Sequence, residues 1–257
     1  MRLASAAGPN PFAAAGRSAV TYVDVRPRYA VSALDWALAG VGAGARVADI
    51  GAGTGRLTEA LLRRGYEVWA LEPAADMRAE FSRHLPDFPH VRLLSATAEA
   101  TGLGDHLFAA LTYGESWHWL DPLCAAREAA RVLRPGGALV VVYNQLAVEH
   151  SWVHRLTRIM RSGDVQRPDK PPVFGDAFTE PEFFSVDWND GVTPEQILQL
   201  GTTRASWIRA TEAQRVRMRR NLCWYLYDEL AMLPGEMVSL PYHTYVWRVQ
   251  YLGAVAQ

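Results

Sequence analysis

Arg46-Val-Ala-Asp-Ile-Gly-Ala-Gly-Thr-Gly-Arg-Leu57 is the stretch on which the reading of this chain turns. An apolar run enters Asp49 and then three alternating glycines, Gly51, Gly53 and Gly55, before a helical pattern carried by Leu57, Ala60 and Leu61. Glycines at this spacing let the chain turn sharply and let a ligand lie against the backbone, facing a helix N-terminus. A dinucleotide loop of the form Gly-x-Gly-x-x-Gly would carry its last glycine where Arg56 stands. This chain has Gly-x-Gly-x-Gly instead, with an acid two residues ahead of the first glycine.

Working outward, strand-like runs follow at 46–50, 67–71, 90–94, 108–113 and 138–143, with helical patterns at about 55–64, 75–85 and 121–134. Strands alternating with helices predict right-handed βαβ units and a parallel sheet. A helical pattern at 18–40 precedes them, and the segment 95–107 has no clear period. Residues 145–161 read as helical before Arg167-Pro-Asp-Lys-Pro-Pro172 breaks the pattern. Two further strands, near 183–188 and 242–251, alternate as an antiparallel edge pair would, and a helical block at 212–232 separates them.

Glu67-Val-Trp-Ala-Leu-Glu-Pro73 places an acid, Glu72, at the tip of the second strand. A carboxylate there can accept both hydroxyls of a ribose, because the carboxyl edges of adjacent strands share one crevice. The plainer explanation is an acid stabilised by the following helix N-terminus.

Three more segments follow in order. They are Ala96-Thr-Ala-Glu-Ala100, then Phe108 through Asp121 with Trp117-His-Trp119 inside it, then Ala129 through Asn144 with Pro135-Gly-Gly137 as a tight turn. Together with the glycine loop and Glu72, they resemble the ordered motifs of the class I S-adenosylmethionine-dependent methyltransferases. Tyr22-Val-Asp-Val-Arg-Pro-Arg-Tyr29 and Ser239-Leu-Pro-Tyr-His-Thr-Tyr245 resemble the flanks of a small-molecule, type 11-like subgroup. The resemblance implies a Rossmann-like α/β fold: a seven-stranded, mostly parallel sheet with an antiparallel last strand, helices on both faces and a helical lid. It implies S-adenosyl-L-methionine as cofactor. Asp49, Gly51, Ala52, Gly53 and Gly55 would cradle it and Glu72 with Pro73 would hold the ribose. Thr97, Ala98 and Glu99 would hold the adenine edge, and Tyr113, Tyr22 and Arg26 complete the expected set. The family often has an acid where this chain has Ala109, which removes a carboxylate role there.

Methyl transfer from a sulfonium needs in-line positioning, desolvation and, for some acceptors, a base. His118 is the candidate base, since a neutral imidazole takes a proton near pH 7; packing at the cofactor rim is its alternative role. Trp117 and Trp119 face either ligand or core, with one of the two expected in the core, and Glu115 is a weaker candidate. Arginines 204, 209, 215, 217, 219 and 220 form either an anion-binding lid or, more commonly, a solvated face. Trp152, Trp207, Trp224, Tyr225 and Tyr227 form either an apolar pocket or core. The expected acceptor is O, N or C of a small metabolite. Aminocarboxypropyl transfer, cyclisation and cofactor binding without transfer remain open, and Arg56 disfavours a nicotinamide enzyme.

Bulk properties narrow the field. At 257 residues the chain suits one α/β domain with insertions. Its organisation reads as a mobile arm at 1–17 and a single domain at 18–257, with a lid insertion at about 145–182 and a helical cap at about 194–235. A net charge of −1 argues against a general nucleic-acid binder. No run reaches the roughly 18 apolar residues of a membrane span. Lys170 is the sole lysine, so nearly all positive charge is arginine. Cys124 and Cys223 fit neither a metal site nor a disulfide framework, so the expectations are no metal and a cytoplasmic location.

Overall fold

A computed structural model describes residues 25–86, 91–162 and 166–253. The expected arm at 1–17 and Tyr22 lie outside them. In chain order the elements are α1 (Val31–Ala37), β1 (Arg46–Ile50), α2 (Arg56–Leu62), β2 (Glu67–Leu71), α3 (Ala75–His84), β3 (Val91–Leu94) and β4 (Phe108–Gly114). There follow α4 (Pro122–Val132), β5 (Leu133–Leu146), α5 (Ser151–Met160), β6 (Glu182–Val192), α6 (Pro194–Thr202), α7 (Ala205–Ile208), α8 (Glu212–Cys223) and β7 (Val238–Gln250).

The seven strands form one sheet in the order β3-β2-β1-β4-β5-β7-β6. β1 pairs in parallel with β2 and β4, β2 with β3, and β4 with β5. β7 runs antiparallel between β5 and β6. The expected Rossmann-like sheet with an antiparallel last strand is therefore the observed one. Strand order reverses between β1 and β4, and a crevice opens at the carboxyl ends of strands at such a switch point.

Alternation along the strands separates two cores. Val47, Val68, Ala110, Val140 and Val142 face α1 and α2 through Leu34, Leu57 and Leu61. Ile50, Leu111, Leu139, Val141 and Trp247 pack instead on α4 through Ala125, Ala129 and Val132. α4 starts cleanly because Asp121 accepts from the N–H groups of Leu123 and Cys124 and Pro122 opens the first turn. A third core joins α5, α6 and α8 through Leu156, Met160, Ile197, Leu200, Met218 and Leu222, against Leu146, Leu240 and Tyr242 of the sheet. The segments expected as lid and cap thus share one apolar interior. α6 and α8 each begin with a capping box, Thr193 with Gln196 and Thr211 with Gln214.

Several boundaries differ from the sequence expectation, two of them at the ends of β5. The helical run expected at 145–161 begins at Ser151, because Gln145 and Leu146 continue β5 by pairing with His243 and Tyr242. The Pro135–Gly137 turn lies inside β5 as a bulge: Phe108 pairs with Leu133 and Ala110 with Ala138, so residues 134–137 stand against one residue of β4. Among the described residues no helix is long and apolar enough to cross a membrane, and no group of three metal-ligating side chains occurs.

Candidate functional site

The glycine loop is held down before any ligand is considered. Gly51 and Ala52 donate to the carbonyl of Leu71 at 2.8 and 2.9 Å, tying the end of β1 to the end of β2. A Cβ on Gly51 would meet Ser116 Cβ at 2.7 Å, and one on Gly55 would meet Leu85 Cδ1 at 2.8 Å. These two glycines are required by protein packing. Gly53 is different: its φ is +57° and a Cβ there would meet nothing within 4 Å, so its surface is open to a ligand.

Two acids lie behind this loop. Asp49 is buried; its Oδ2 accepts from Thr58 Oγ1 at 2.6 Å, and its Oδ1 has no hydrogen-bond partner among the described residues. Burial pushes its carboxyl up to about 7 against the bond from Thr58, and the charge of Glu72 adds to the rise. Glu72 is also buried, accepting the N–H of Gly53 on Oε2 at 2.9 Å and the N–H of Ala74 on Oε1 at 2.8 Å. Burial raises its carboxyl as well, opposed by those two N–H groups and by Arg78. Pro73 is exposed beside it, its carbonyl accepting from Arg78 at 2.7 Å.

A cleft of about 570 Å3, the solvent at its mouth included, opens over the loop. Arg26, Tyr29, Asp49, Gly53, Arg56, Glu115, Asn144 and Arg204 are among the residues that line it. Arg26 donates from Nη2 to the carbonyl of Thr203 at 2.8 Å, joining the segment ahead of α1 to the turn that carries Arg204. Tyr29 is seated where the chain has no side chain: a Cβ on Gly114 would stand 2.5 Å from its hydroxyl. Glu115 holds a left-handed φ of +57°, uncommon for a residue with a side chain, and accepts the N–H of Asn144 at 2.5 Å. Asn144 in turn donates to the carbonyl of Arg28 at 3.1 Å and accepts from Thr244 at 2.7 Å. The tip of β4, the end of β5 and the lead-in segment are therefore fastened to one another around the cleft.

The remaining expected residues are placed unevenly. Ala52 is buried in the loop, Ala98 is buried in the core, Thr97 is exposed and Glu99 is half-buried, accepting the N–H of Asp121 at 3.3 Å. Tyr113 is wholly buried, its ring 4.7 Å from Trp117 and its hydroxyl without a partner among the described residues; it offers no surface to the cleft. Trp117 is the core member of the tryptophan pair. His118 is half-buried, 4.5 Å from Trp119 and 5.5 Å from Tyr143 by ring centroids, and stands outside the cleft lining. Of the six arginines, Arg204 lines the cleft, Arg209 lies over Trp119 and Arg215 caps carbonyls of residues 207 and 208.

Residues 48–141 match the family model described as a methyltransferase domain. An uncharacterized methyltransferase of Mycobacterium tuberculosis is 35% identical over 230 residues, spanning 89% of this chain and 92% of that one. The chain belongs to the class I S-adenosylmethionine-dependent methyltransferases. A candidate type II methyltransferase from Anaeromyxobacter dehalogenans has the same fold, with a TM-score of 0.65 at 22% identity, covering 89% of this chain and 99% of that one. A ubiquinone biosynthesis O-methyltransferase of Xanthomonas oryzae is 36% identical over 104 residues, which is 38% of this chain and 42% of that one.

Within this methyltransferase, several residues that line the cleft were outside the set expected from the sequence, Tyr29, Glu115, Asn144 and Arg204 among them. Glu115 carried a weak signal, a polar residue at the end of a buried strand. Tyr29 was visible only as part of the lead-in motif. Arg204 was one of six arginines with nothing to separate it from the others, and only the fold brings it to the glycine loop.

Proposed function

We infer that this protein transfers a methyl group from S-adenosyl-L-methionine to O, N or C of a small-molecule acceptor. The observation that carries the reading is the charge pattern of the cleft. Asp49 Oδ1, a buried acceptor lacking a partner among the described residues, shares it with Arg26 and Arg204, while the Glu72 carboxylate closes the loop from behind. A zwitterionic amino-acid end joined to a nucleoside fits that pattern: an acceptor for an ammonium, cations for a carboxylate, and a further carboxylate for ribose hydroxyls.

On this reading Asp49 and the loop backbone hold the ammonium, and Arg26 and Arg204 hold the carboxylate. Glu72 keeps its two N–H bonds and still has lone pairs for hydroxyls. Pro73, Thr97, Ala98 and Glu99 border the nucleoside end, whereas buried Tyr113 supports them from the core. The cofactor, when bound, supplies an electrophilic methyl on a sulfonium with a good leaving group. The protein then positions the acceptor and excludes water. Arg209 over Trp119 brings the helical cap down on the segment after β4, where an acceptor would enter. His118 in that segment takes the acceptor's proton at an imidazole nitrogen.

Two measurements test this. Titration with S-adenosylhomocysteine by calorimetry should give saturable one-to-one binding, weakened in Asp49→Asn. For His118→Ala the base role predicts a fall in turnover of about 10²-fold or more with that affinity kept. A near-normal rate would leave His118 as packing for Trp119 and Tyr143.

A further inference from the structure

A second cleft, of about 690 Å3 with the solvent at its mouth included, lies between α5 and α8 and shares no lining residue with the first. Its polar walls come from Arg155, Arg158, Arg161, Arg217, Gln214 and Asn221, with Ile159 and Met218 as its apolar lining. Arg155 is already fixed in place. It pairs with Glu229 at 2.8 Å and lies over the rings of Trp224 and Tyr225, 5.2 and 5.1 Å from their centroids.

The other three arginines are the notable ones. The chain has 27 acids for 26 bases, and several arginines elsewhere pair with a carboxylate, as Arg64 does with Asp35 and Arg248 with Glu182. Among the described residues no carboxylate stands within 4.0 Å of Arg158, Arg161 or Arg217. The nearby acid Glu212 approaches Arg215 instead, at 4.0 Å. Uncompensated guanidinium groups around one concavity repel one another, and their field is focused by the protein walls. The planar fork of each is matched to the oxygens of a phosphate, and Gln214 and Asn221 add neutral donors. A monocarboxylate would engage one such fork; three forks with two amides match a multivalent oxyanion.

We propose that the cleft between α5 and α8 binds a phosphate-bearing anion, at a site separate from the methyl-transfer cleft. Inorganic pyrophosphate is the probe, titrated into the full chain at constant ionic strength and followed by calorimetry and by the thermal midpoint. Saturable binding is expected, with affinity falling about tenfold or more in Arg158→Gln/Arg217→Gln. The unliganded thermal midpoint and the affinity for S-adenosylhomocysteine should not move in that variant. Arg219→Gln/Arg220→Gln, which removes exposed charge on the same helix outside the cleft, should bind as wild type.

Vesicles of phosphatidylcholine with and without phosphatidic acid separate two sources of the phosphate. Retention on the acidic vesicles that the Arg158/Arg217 variant loses identifies a lipid headgroup. Pyrophosphate binding without retention identifies a free phosphorylated ligand. Absence of saturable pyrophosphate binding, or equal loss in the two double variants, would overturn the proposal. Because no methyl donor enters the assay, failure here leaves the methyltransferase reading untouched.

Discussion

The backbone N–H of Gly53 donates to the Glu72 carboxylate at 2.9 Å, so the glycine loop and the acid at the tip of β2 are one hydrogen-bonded unit. Removing the acid therefore does two things. Glu72→Ala should weaken binding of S-adenosylhomocysteine by about 1–3 kcal/mol and lower the thermal midpoint, since the N–H groups of Gly53 and buried Ala74 lose their acceptor. Calorimetry and thermal unfolding on the same sample check both; unchanged affinity would remove Glu72 from the ribose role.

Gly51 and Gly53 separate packing from ligand contact. Valine at Gly51 would drive its Cβ into Ser116 and should destabilise the fold by about 1–3 kcal/mol or more. Valine at Gly53 enters open space at the cost of about 1–2 kcal/mol for a left-handed φ, so the variant should stay folded and lose cofactor binding. Circular dichroism with calorimetry distinguishes them. A folded Gly53→Val that binds as wild type would place the ligand elsewhere.

Much of this was legible in the sequence, and the reason is range. Gly51, Gly53, Gly55 and Glu72 act within one βαβ unit, where spacing along the chain is spacing in space. Strand identities followed from unbroken apolar runs such as Leu139 through Val142. Gln145 and Leu146 were expected to open the following helix, and they continue the strand because β7 pairs with β5 through them. Tyr113, expected at the cofactor, is buried instead. It shares a sheet face with Leu111, which points it at Trp117 and the core. Arg204 was hidden by distance, for the contact between Arg26 and Thr203 spans 177 positions.

Asp49 gives a pH signature. Its carboxyl titrates near 7 in the folded protein against an ordinary 3.8, and an ammonium needs it ionised. Affinity for S-adenosylhomocysteine should rise as pH increases from about 5.5, by up to about tenfold per unit, and level off above about 7. Stability runs the other way. The unfolded chain gives up this proton near 3.8 while the folded chain keeps it, so the group removes stability as pH rises from about 4 to about 7. Asp49→Asn should flatten both curves; a binding curve of unchanged shape in that variant would assign the titration to another group.

Arg204 tests whether the cap reaches the cofactor. Arg204→Gln should weaken S-adenosylhomocysteine about tenfold while leaving adenosine, which lacks the amino-acid end, unaffected. Competition calorimetry with the two ligands is the check. Equal loss for both would mean that Arg204 shapes the cleft as a whole instead of holding a carboxylate.

The most direct test of the account is the identity of the nucleoside left after turnover. The protein is incubated with S-adenosylmethionine and pooled small-molecule acceptors, and the products are separated by mass spectrometry. Methyl transfer predicts S-adenosylhomocysteine above the protein-free background, together with an acceptor heavier by one methylene unit. Methylthioadenosine in its place would show that the bond on the amino-acid side is broken, contradicting the assignment of methyl transfer.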